Sequence, residues 1–484
     1  MTILYIIIIL FGLLVAVLLI NTLRAKPAKV DMPKAEPLDL DAEKMAQHLS
    51  GAIQIKTVSS ATMEGVDKDA FFGFHAYLEK TYPKMHRTLT KEAVNTYSLL
   101  YTWKAKNPTK KPLLIMAHMD VVPVEPKTLD DWTHPPFSGE IADGYVWGRG
   151  TLDMKGQLIS VCEAIEYAIG NGFEPKQDIY LAFGHDEENS GFLGGKQIAE
   201  LIKSRGIEPR LVVDEGGAVV DGKMLGLNGM LGLIGIAEKG YADITLEATA
   251  KGGHASQPPK DTAVSEIAQA ILLLQKNQLK RTMNVPLKGF LKAISPNMSF
   301  GLRLIISNLW LFKGLLLKVL GKGATSNALT KTTFAPTQLT GSPASNVLAQ
   351  SATATINFRI SPDDSVDKLI AHIEKVLKKT DVKIIHTMAH NPTQPSDITS
   401  EAYALVRDTV KQVMPDLMVV PYLMVAATDS RQYAGIAENI FQFCPYRSMA
   451  EDLGTIHATN ERMKIECLAE GVTFFIRLLE NSNQ

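Results

Sequence analysis

The chain has 484 residues, more than one hydrophobic core usually holds, so two domains of ordinary size are expected. Its 50 Lys and Arg stand against 51 Asp and Glu, a formal charge of −1 spread along the chain, which excludes the basic stripe that a nucleic-acid backbone needs. Three distant cysteines, Cys162, Cys444 and Cys467, exclude a disulfide framework and a paired-cysteine metal knuckle, so any metal site must be built from His, Asp and Glu.

The first element is an uncharged apolar run, Ile3 to Ile20. At about 1.5 Å per residue it crosses most of a hydrocarbon layer of roughly 30 Å, and residues 1–23 are expected to form a single transmembrane anchor. No basic residue precedes the run and no small-residue cleavage site follows Asn21, features that disfavour a removed signal peptide. Arg24, Lys26, Lys29 and Lys34 follow at once and, by the positive-inside rule alone, favour a cytoplasmic body. Residues 24–44, with Pro27, Pro33 and Pro37 among mixed charges, read as a tether.

A helix near Asp41–Ile55 opens the first part of a catalytic domain, expected over 45–240. Short apolar runs then alternate with amphipathic segments, which implies an α/β fold: a mostly parallel sheet covered by helices. Three runs, 112–117, 179–183 and 211–213, are β-rich and each stops abruptly at His, Asp or Glu. In such sheets ligands sit beyond the carboxyl ends of the strands, so polar residues placed there by several strands converge on one crevice.

The first strand end carries His118 and Asp120, which at i and i+2 point to one side; one can ligate a metal while the other fixes the imidazole tautomer. The glycine-punctuated loop 147–156 follows, with Asp153 just before an apolar helix running to about Ile169. Taken alone, Asp153 reads better as the N-cap of that helix. Next, His185-Asp186-Glu187-Glu188 crowds three acids into one turn, where they repel one another unless a cation compensates them. Asp214-Glu215-Gly216-Gly217 repeats the pattern after the following strand.

A different rhythm begins near Tyr241: a strand at 244–248, a helix at 262–274, strands at 332–339 and 349–360, a helix at 365–378 and a strand at 382–387. It is expected to be an inserted α+β lid over 241–390. Within it Met283–Leu320 is long and apolar, with Trp310 and Phe312 flanking Leu311; domain packing explains this plainly, a greasy channel or membrane-facing surface more sharply. The chain then returns to the catalytic domain over 391–484, where His457 supplies a second imidazole.

Charge counting favours a pair of divalent ions. Asp153, Glu188 and Asp214 with a bridging hydroxide carry four negative charges against four positive, and the neutral imidazoles of His118 and His457 add none. A two-metal centre of this kind ionises water and polarises a carbonyl. Glu187 is then left free as the base that moves a proton from water to the leaving amine.

The ordered segments AHMDVVP, GRGTLDMKG, GHDEENSG, VDEGG, GGHASQPP and NFRISP resemble the zinc-dependent aminoacylase and carboxypeptidase family of metallopeptidases, most of all the branch of carboxypeptidase S and the N-fatty-acyl-amino acid synthase/hydrolases. The likeness runs from about residue 45 to 480. It implies two zinc ions, with cobalt or manganese as substitutes: His118, Asp153 and Asp214 on one, and Asp153, Glu188 and His457 on the other, Asp153 bridging. It further implies Glu187 as base, His254 of the lid as oxyanion donor across a homodimer interface with Asn346 assisting, and Arg359 as the clamp for a substrate carboxylate. Such donors suit a developing oxyanion and a bidentate carboxylate. The sequence departs from the family's commoner pattern at Ala426-Ala427-Thr428-Asp429-Ser430, which lacks the usual glycines, and in the length of the 283–320 stretch.

The expected activity is therefore hydrolysis, or reversible formation, of the amide bond of a small N-acyl amino acid or a peptide with a free carboxylate, the long apolar stretch favouring hydrophobic acyl groups. The family likeness implies a body outside the cytosol, against the local charge rule. Two other classes compete: a catalytically silent membrane-anchored binding protein on the same fold, and a two-metal phosphoesterase, which requires a phosphate cradle.

Overall fold

A computed structural model describes residues 1–26, 34–225, 227–447 and 450–484. Part of the expected tether, residues 27–33, lies outside the described residues. The chain divides into two compact units: one of Met1–Pro27, Ala237–Pro395 and Leu423–Ala427, the other of Ala28–Ile236, Ser396–Tyr422 and Thr428–Gln484.

The larger unit is built on a nine-stranded sheet. Its centre is parallel: Leu113–His118 lies between Ile179–Gly184 and Leu211–Asp214, and Ile440–Gln442 runs parallel to the last of these. Its edges are antiparallel, Ser98–Trp103 against Ile179–Gly184 on one side and Met230–Glu238 against Ile440–Gln442 on the other. The sheet is thus mixed, a correction to the expectation of a mostly parallel one; tight turns such as that between Thr90–Val94 and Ser98–Trp103 close antiparallel pairs, whereas parallel pairs need helical crossovers.

The central strands are buried along their whole length, because helices cover both faces. Ala42–Ile53, Lys155–Gly170, Glu401–Val413 and Ile465–Ser482 share the larger core with Leu113, Ile115, Leu181 and Val213. Gly195–Ser204 covers the other face, packing Ile198, Ala199 and Ile202 on Leu114, Met116, Tyr180 and Val212. Each such aliphatic side chain, fully buried, contributes about 1.5–3 kcal/mol. The first of these helices starts where Asp41 accepts the Lys44 N–H at 3.0 Å.

The smaller unit holds a four-stranded antiparallel sheet in the order Thr333–Thr340, Ser351–Ile360, Gly240–Thr249, Lys383–His390. Strict alternation of buried and half-buried residues along the two inner strands shows that one face is covered. Helices Ala263–Lys276 and Val366–Leu377 cover it with Ile267, Ala270, Leu369 and Ile373. The same unit contains the helix Thr2–Arg24, which is long and apolar enough to cross a membrane, and the helices Val285–Ile294, Phe300–Ser307 and Leu309–Leu320, the last two meeting at 114°.

Candidate active site

His118 ends its strand and is 1% exposed. Its Nδ1 stands 3.0 Å from the Asp120 carbonyl oxygen and 3.3 Å from the Asp120 carboxylate, which places a proton on Nδ1. Without a metal, burial disfavours the imidazolium, but the carboxylates of Glu215, Asp120 and Asp153 outweigh it and raise the imidazole well above its ordinary range; a bound cation would instead take Nε2 as its ligand. The Asp120 carboxylate also accepts the Ser59 hydroxyl at 2.6 Å and the N–H groups of Glu187 and Glu188 at 3.2 and 3.3 Å. Burial pushes Asp120 toward protonation, yet His118 and these donors outweigh it and hold the carboxyl below the ordinary range. One acid thereby fixes both the imidazole and the acidic turn.

Asp153 sits at the end of a loop in which Gly148 and Gly150 have φ of +145° and +88°. A Cβ on Gly150 would stand 2.5 Å from Val121 Cγ1, so neither the conformation nor the space admits another residue. Asp153 does not cap the following helix, which has no side-chain cap. Instead its Oδ1 is 3.2 Å from His118 Nε2 and its Oδ2 is 3.0 Å from His457 Nε2. His457, held at φ +60°, places the same Nε2 3.1 Å from Glu188 Oε2. One carboxylate thus lies between two imidazoles that are 339 positions apart in the chain.

The acidic turn separates its members by role. Asp186 accepts the Leu193 and Gly194 N–H groups at 2.7 Å each and stabilises the turn, and burial raises its pKa to about 6. His185, bonded to Ser98 Oγ at 2.6 Å and lowered by burial to about 4, is likewise structural. Glu187 offers an oxygen within 4.8 Å of ligand atoms on His118 and Glu215.

The structure brings His118, Asp153, Glu188 and His457 together, but it turns Asp214 elsewhere: Asp214 Oδ2 accepts the Ser430 N–H at 2.9 Å. The carboxylate that reaches His118 from this strand end is Glu215, whose Oε1 is 3.4 Å from Nε2. Two further acids went unassigned in the sequence. Asp429 is buried in a nest of glycines, where a Cβ on Gly191 or Gly195 would overlap its carboxylate. Glu461, fully buried, accepts the N–H groups of Gly150, Leu152 and Asp153 at 3.0, 3.0 and 3.2 Å and pairs with Arg149. The adjacent acids of the DE pair and the acid closing HATNE were the signals for Glu215 and Glu461.

Electrostatically the cavity carries too many acids for its own bases. Burial raises the carboxyls of Glu187, Glu188 and Asp214, and lifts Glu215 and Asp429 to about 8. Conversely His457 is driven up to about 10 by Asp153 and Glu188. Glu188 Oε1 is buried without a hydrogen-bond partner among the described residues. Two donors about 2.1 Å from one tetrahedral ion stand roughly 3.4 Å apart, close to the nitrogen–oxygen separations here. The groups His118, Glu187, Glu215 and His118, Asp153, Glu188 can each hold a metal ion.

The three residues expected to meet substrate lie in the smaller unit. His254 is exposed on Gly253–His254, which pairs with Val347–Leu348, and the neighbouring Ala255 N–H donates to the Asn346 carbonyl at 3.0 Å. His254 Nδ1 accepts the Ser256 N–H at 3.1 Å, so its proton is on Nε2. Arg359 is half-buried with its guanidinium 4.8 Å from the Tyr241 ring, and it forms no ion pair with a carboxylate among the described residues.

A family model described as peptidase family M20/M25/M40 matches residues 114–481. The chain is 37% identical over 495 residues, 99% of its length and 94% of the relative's, to a probable carboxypeptidase S-like 2 of Dictyostelium discoideum. It is 33% identical over 480 residues, 97% and 93% of the two chains, to N-fatty-acyl-amino acid synthase/hydrolase PM20D1 of Xenopus tropicalis. Among solved structures it resembles the M20 family metallo-carboxypeptidase Sso-CP2 of Sulfolobus solfataricus, with a TM-score of 0.66 at 20% identity over 92% of this chain and 100% of that one.

Proposed function

The chain belongs to peptidase family M20/M25/M40 and is a hydrolase, and from that premise we propose that it is a membrane-anchored, two-zinc amidohydrolase of hydrophobic N-acyl amino acids. The observation that carries this reading is the Asp153 carboxylate shared between His118 and His457 with Glu187 alongside. His118, Asp153 and Glu215 would hold one ion, and Asp153, Glu188 and His457 the other, Glu215 taking the place first given to Asp214. When bound, such ions polarise the amide carbonyl and make water at the site more acidic.

The chain's own groups divide the remaining work. Glu187 takes a proton from the attacking water and passes it to the amide nitrogen as the carbon–nitrogen bond breaks, leaving an acyl carboxylate and a free amine. The His254 Nε2–H donates to the carbonyl oxygen as it gains negative charge, with Asn346 beside it. Arg359, cationic and without an acidic partner among the described residues, grips the substrate carboxylate. Asp120 keeps His118 in the ligating tautomer.

Hydrophobic acyl groups are assigned because a relative at 33% identity is named as an N-fatty-acyl-amino acid synthase/hydrolase. The same site runs in reverse when fatty acid and amino acid are abundant. Retention of the N-terminal helix as an anchor is supported by Asn308, fully buried, whose amide group bonds Leu18 O at 3.1 Å and Asn21 Nδ2 at 2.9 Å. Removal of the helix would take the Leu18 and Asn21 partners from this amide and leave it Leu304 O at 2.9 Å and Trp310 Nε1 at 3.3 Å. The body is assigned to the side away from the cytosol and the exposed edge strand Thr333–Thr340 to a homodimer contact. The test is a substrate panel: purified full-length protein with zinc is expected to cleave N-oleoyl amino acids faster than N-acetyl ones and to spare their carboxamides. Cleavage confined to short peptides would overturn the acyl assignment.

A further inference from the structure

Residues 281–322 contain seven basic residues (Arg281, Lys288, Lys292, Arg303, Lys313, Lys318, Lys322) and no Asp or Glu, in a chain whose overall charge is −1. Such a concentration in a segment that is otherwise Leu, Ile and Phe is the composition of a helix that lies in a membrane interface, apolar side in the acyl chains and cations toward the headgroups. The structure carries the argument further. Phe300, Leu302, Trp310, Leu311, Leu315 and Val319 are all exposed, Trp310 at 61%. Isolated exposed apolar residues need no account, but this run occupies two consecutive helices.

The position of these helices relative to Thr2–Arg24 fixes a depth. Asn308, at the 114° corner between them, donates to Leu18 O and stands 3.4 Å from Thr22 Oγ1, and Asn21 donates to it. Leu18 lies in the last turn of the apolar run Ile3–Ile20, and Asn21 and Thr22 lie just past it, so at about 1.5 Å per residue these contacts straddle the boundary between a hydrocarbon layer of roughly 30 Å and its headgroups. Beside that corner lies a cavity of about 560 Å³ lined by Arg24, Lys26, Lys288 and Lys292, together with Trp310 and Ile306. All four cations are exposed and none pairs with a carboxylate among the described residues.

We propose that the acid-free segment 281–322 lies in the headgroup layer of the membrane entered by the N-terminal helix, and that the basic cavity at the end of that helix binds the phosphate of an anionic phospholipid. The inference rests on the anchor reading above. It gives Asn308 a role beyond packing: it ties the interfacial helices to the anchor at one depth. It also sets residues 300–320, part of the smaller unit, directly against the phase in which a long-chain acyl substrate is dissolved.

The test uses full-length protein reconstituted into vesicles of phosphatidylcholine with or without phosphatidylglycerol. Trp310 is the exposed tryptophan, while Trp103, Trp132 and Trp147 are at most 8% exposed. Brominated acyl chains are therefore expected to quench emission that Trp310→Phe removes, and mass spectrometry of the detergent-extracted protein to find bound phosphatidylglycerol. Lys288→Glu/Lys292→Glu, and the milder Lys288→Gln/Lys292→Gln, are expected to lower retained phosphatidylglycerol more than about threefold. Trp310 emission untouched by brominated lipid, or lipid retained equally by both variants, would overturn the proposal. Displacement of the lipid by inorganic phosphate alone would overturn it also, by making the cavity a site for free anions. Carbonate extraction separates the two readings: release of the protein sinks the anchor, whereas quenching and lipid retention still decide the interfacial site.

Discussion

Glu461 grips the loop that carries Asp153 from the far end of the chain: its Oε1 accepts the Asp153 N–H at 3.2 Å, and the same oxygen takes the Gly150 and Leu152 N–H groups. Its second oxygen meets Arg149 Nη1 at 2.5 Å, and both side chains are buried. Because Glu461 is four residues from His457, one contact sets the spacing between the central carboxylate and one of its two imidazoles. Replacing Glu461 with Ala is expected to cost about 3–5 kcal/mol, since it strands a buried guanidinium, and to lower metal content. Urea unfolding and metal analysis check this; a loss below about 1 kcal/mol would remove the clasp from the account.

Glu187→Gln keeps the shape of the side chain and removes its capacity to take a proton. The expected result is a fall in kcat of about 10²-fold or more with metal content unchanged. Wild-type turnover in the variant would take Glu187 out of the chemistry.

The neighbouring acids Asp214 and Glu215 are expected to respond differently. Glu215→Ala should lose one metal equivalent, because its oxygen faces His118. Asp214→Asn should retain both and lose less than about 1 kcal/mol of stability, because the amide oxygen can still accept the Ser430 N–H. Metal analysis of the two purified variants decides, and the opposite pattern restores Asp214 as the ligand.

Chelated protein should become less stable as pH rises. Glu215 and Asp429, held near 8 by burial, keep protons in the folded chain that the unfolded chain releases near 4. His457, raised to about 10 by Asp153 and Glu188, holds its proton past the ordinary value near 6.5. Between pH 6.5 and 8 the folded state therefore binds more protons, and stability falls with pH across that window. His185, lowered to about 4, opposes this below 6.5, and Lys155 and Lys239, each lowered by burial to about 7, oppose it above 7, so the fall is steepest near pH 7 and flattens toward 8. Thermal unfolding with chelator should show Tm falling from pH 6.5 to 8, and zinc should flatten the slope; a rising Tm in chelator would contradict the charge balance described.

Arg359→Ala should raise KM for N-acyl amino acids by about 10-fold or more and leave their carboxamides unchanged, because a charge-assisted pair is lost only with the carboxylate. Unaltered preference between the two substrates would assign Arg359 to its stacking on Tyr241 alone.

Much of this protein was legible in the order of its residues. A buried parallel strand reads as an unbroken apolar run, so His118, the acids after Gly184 and the acids after Val213 stood out where each run stopped, and six ordered motifs identified the family. The antiparallel edges of the sheet were not legible, because pairing direction follows from turns and partners rather than from strand composition. Nor was the choice within Asp214-Glu215. Successive side chains of an extended segment point to opposite sides, and composition does not say which side faces His118; in the fold Glu215 Oε1 stands 3.4 Å from His118 Nε2, while Asp214 Oδ2 accepts the N–H of Ser430, 216 positions away. The sequence by itself determined which acids and imidazoles the chain possesses and that they cap strands. Only the tertiary structure decided which carboxylate oxygen faces which nitrogen, because that depends on groups distant along the chain brought within about 3 Å.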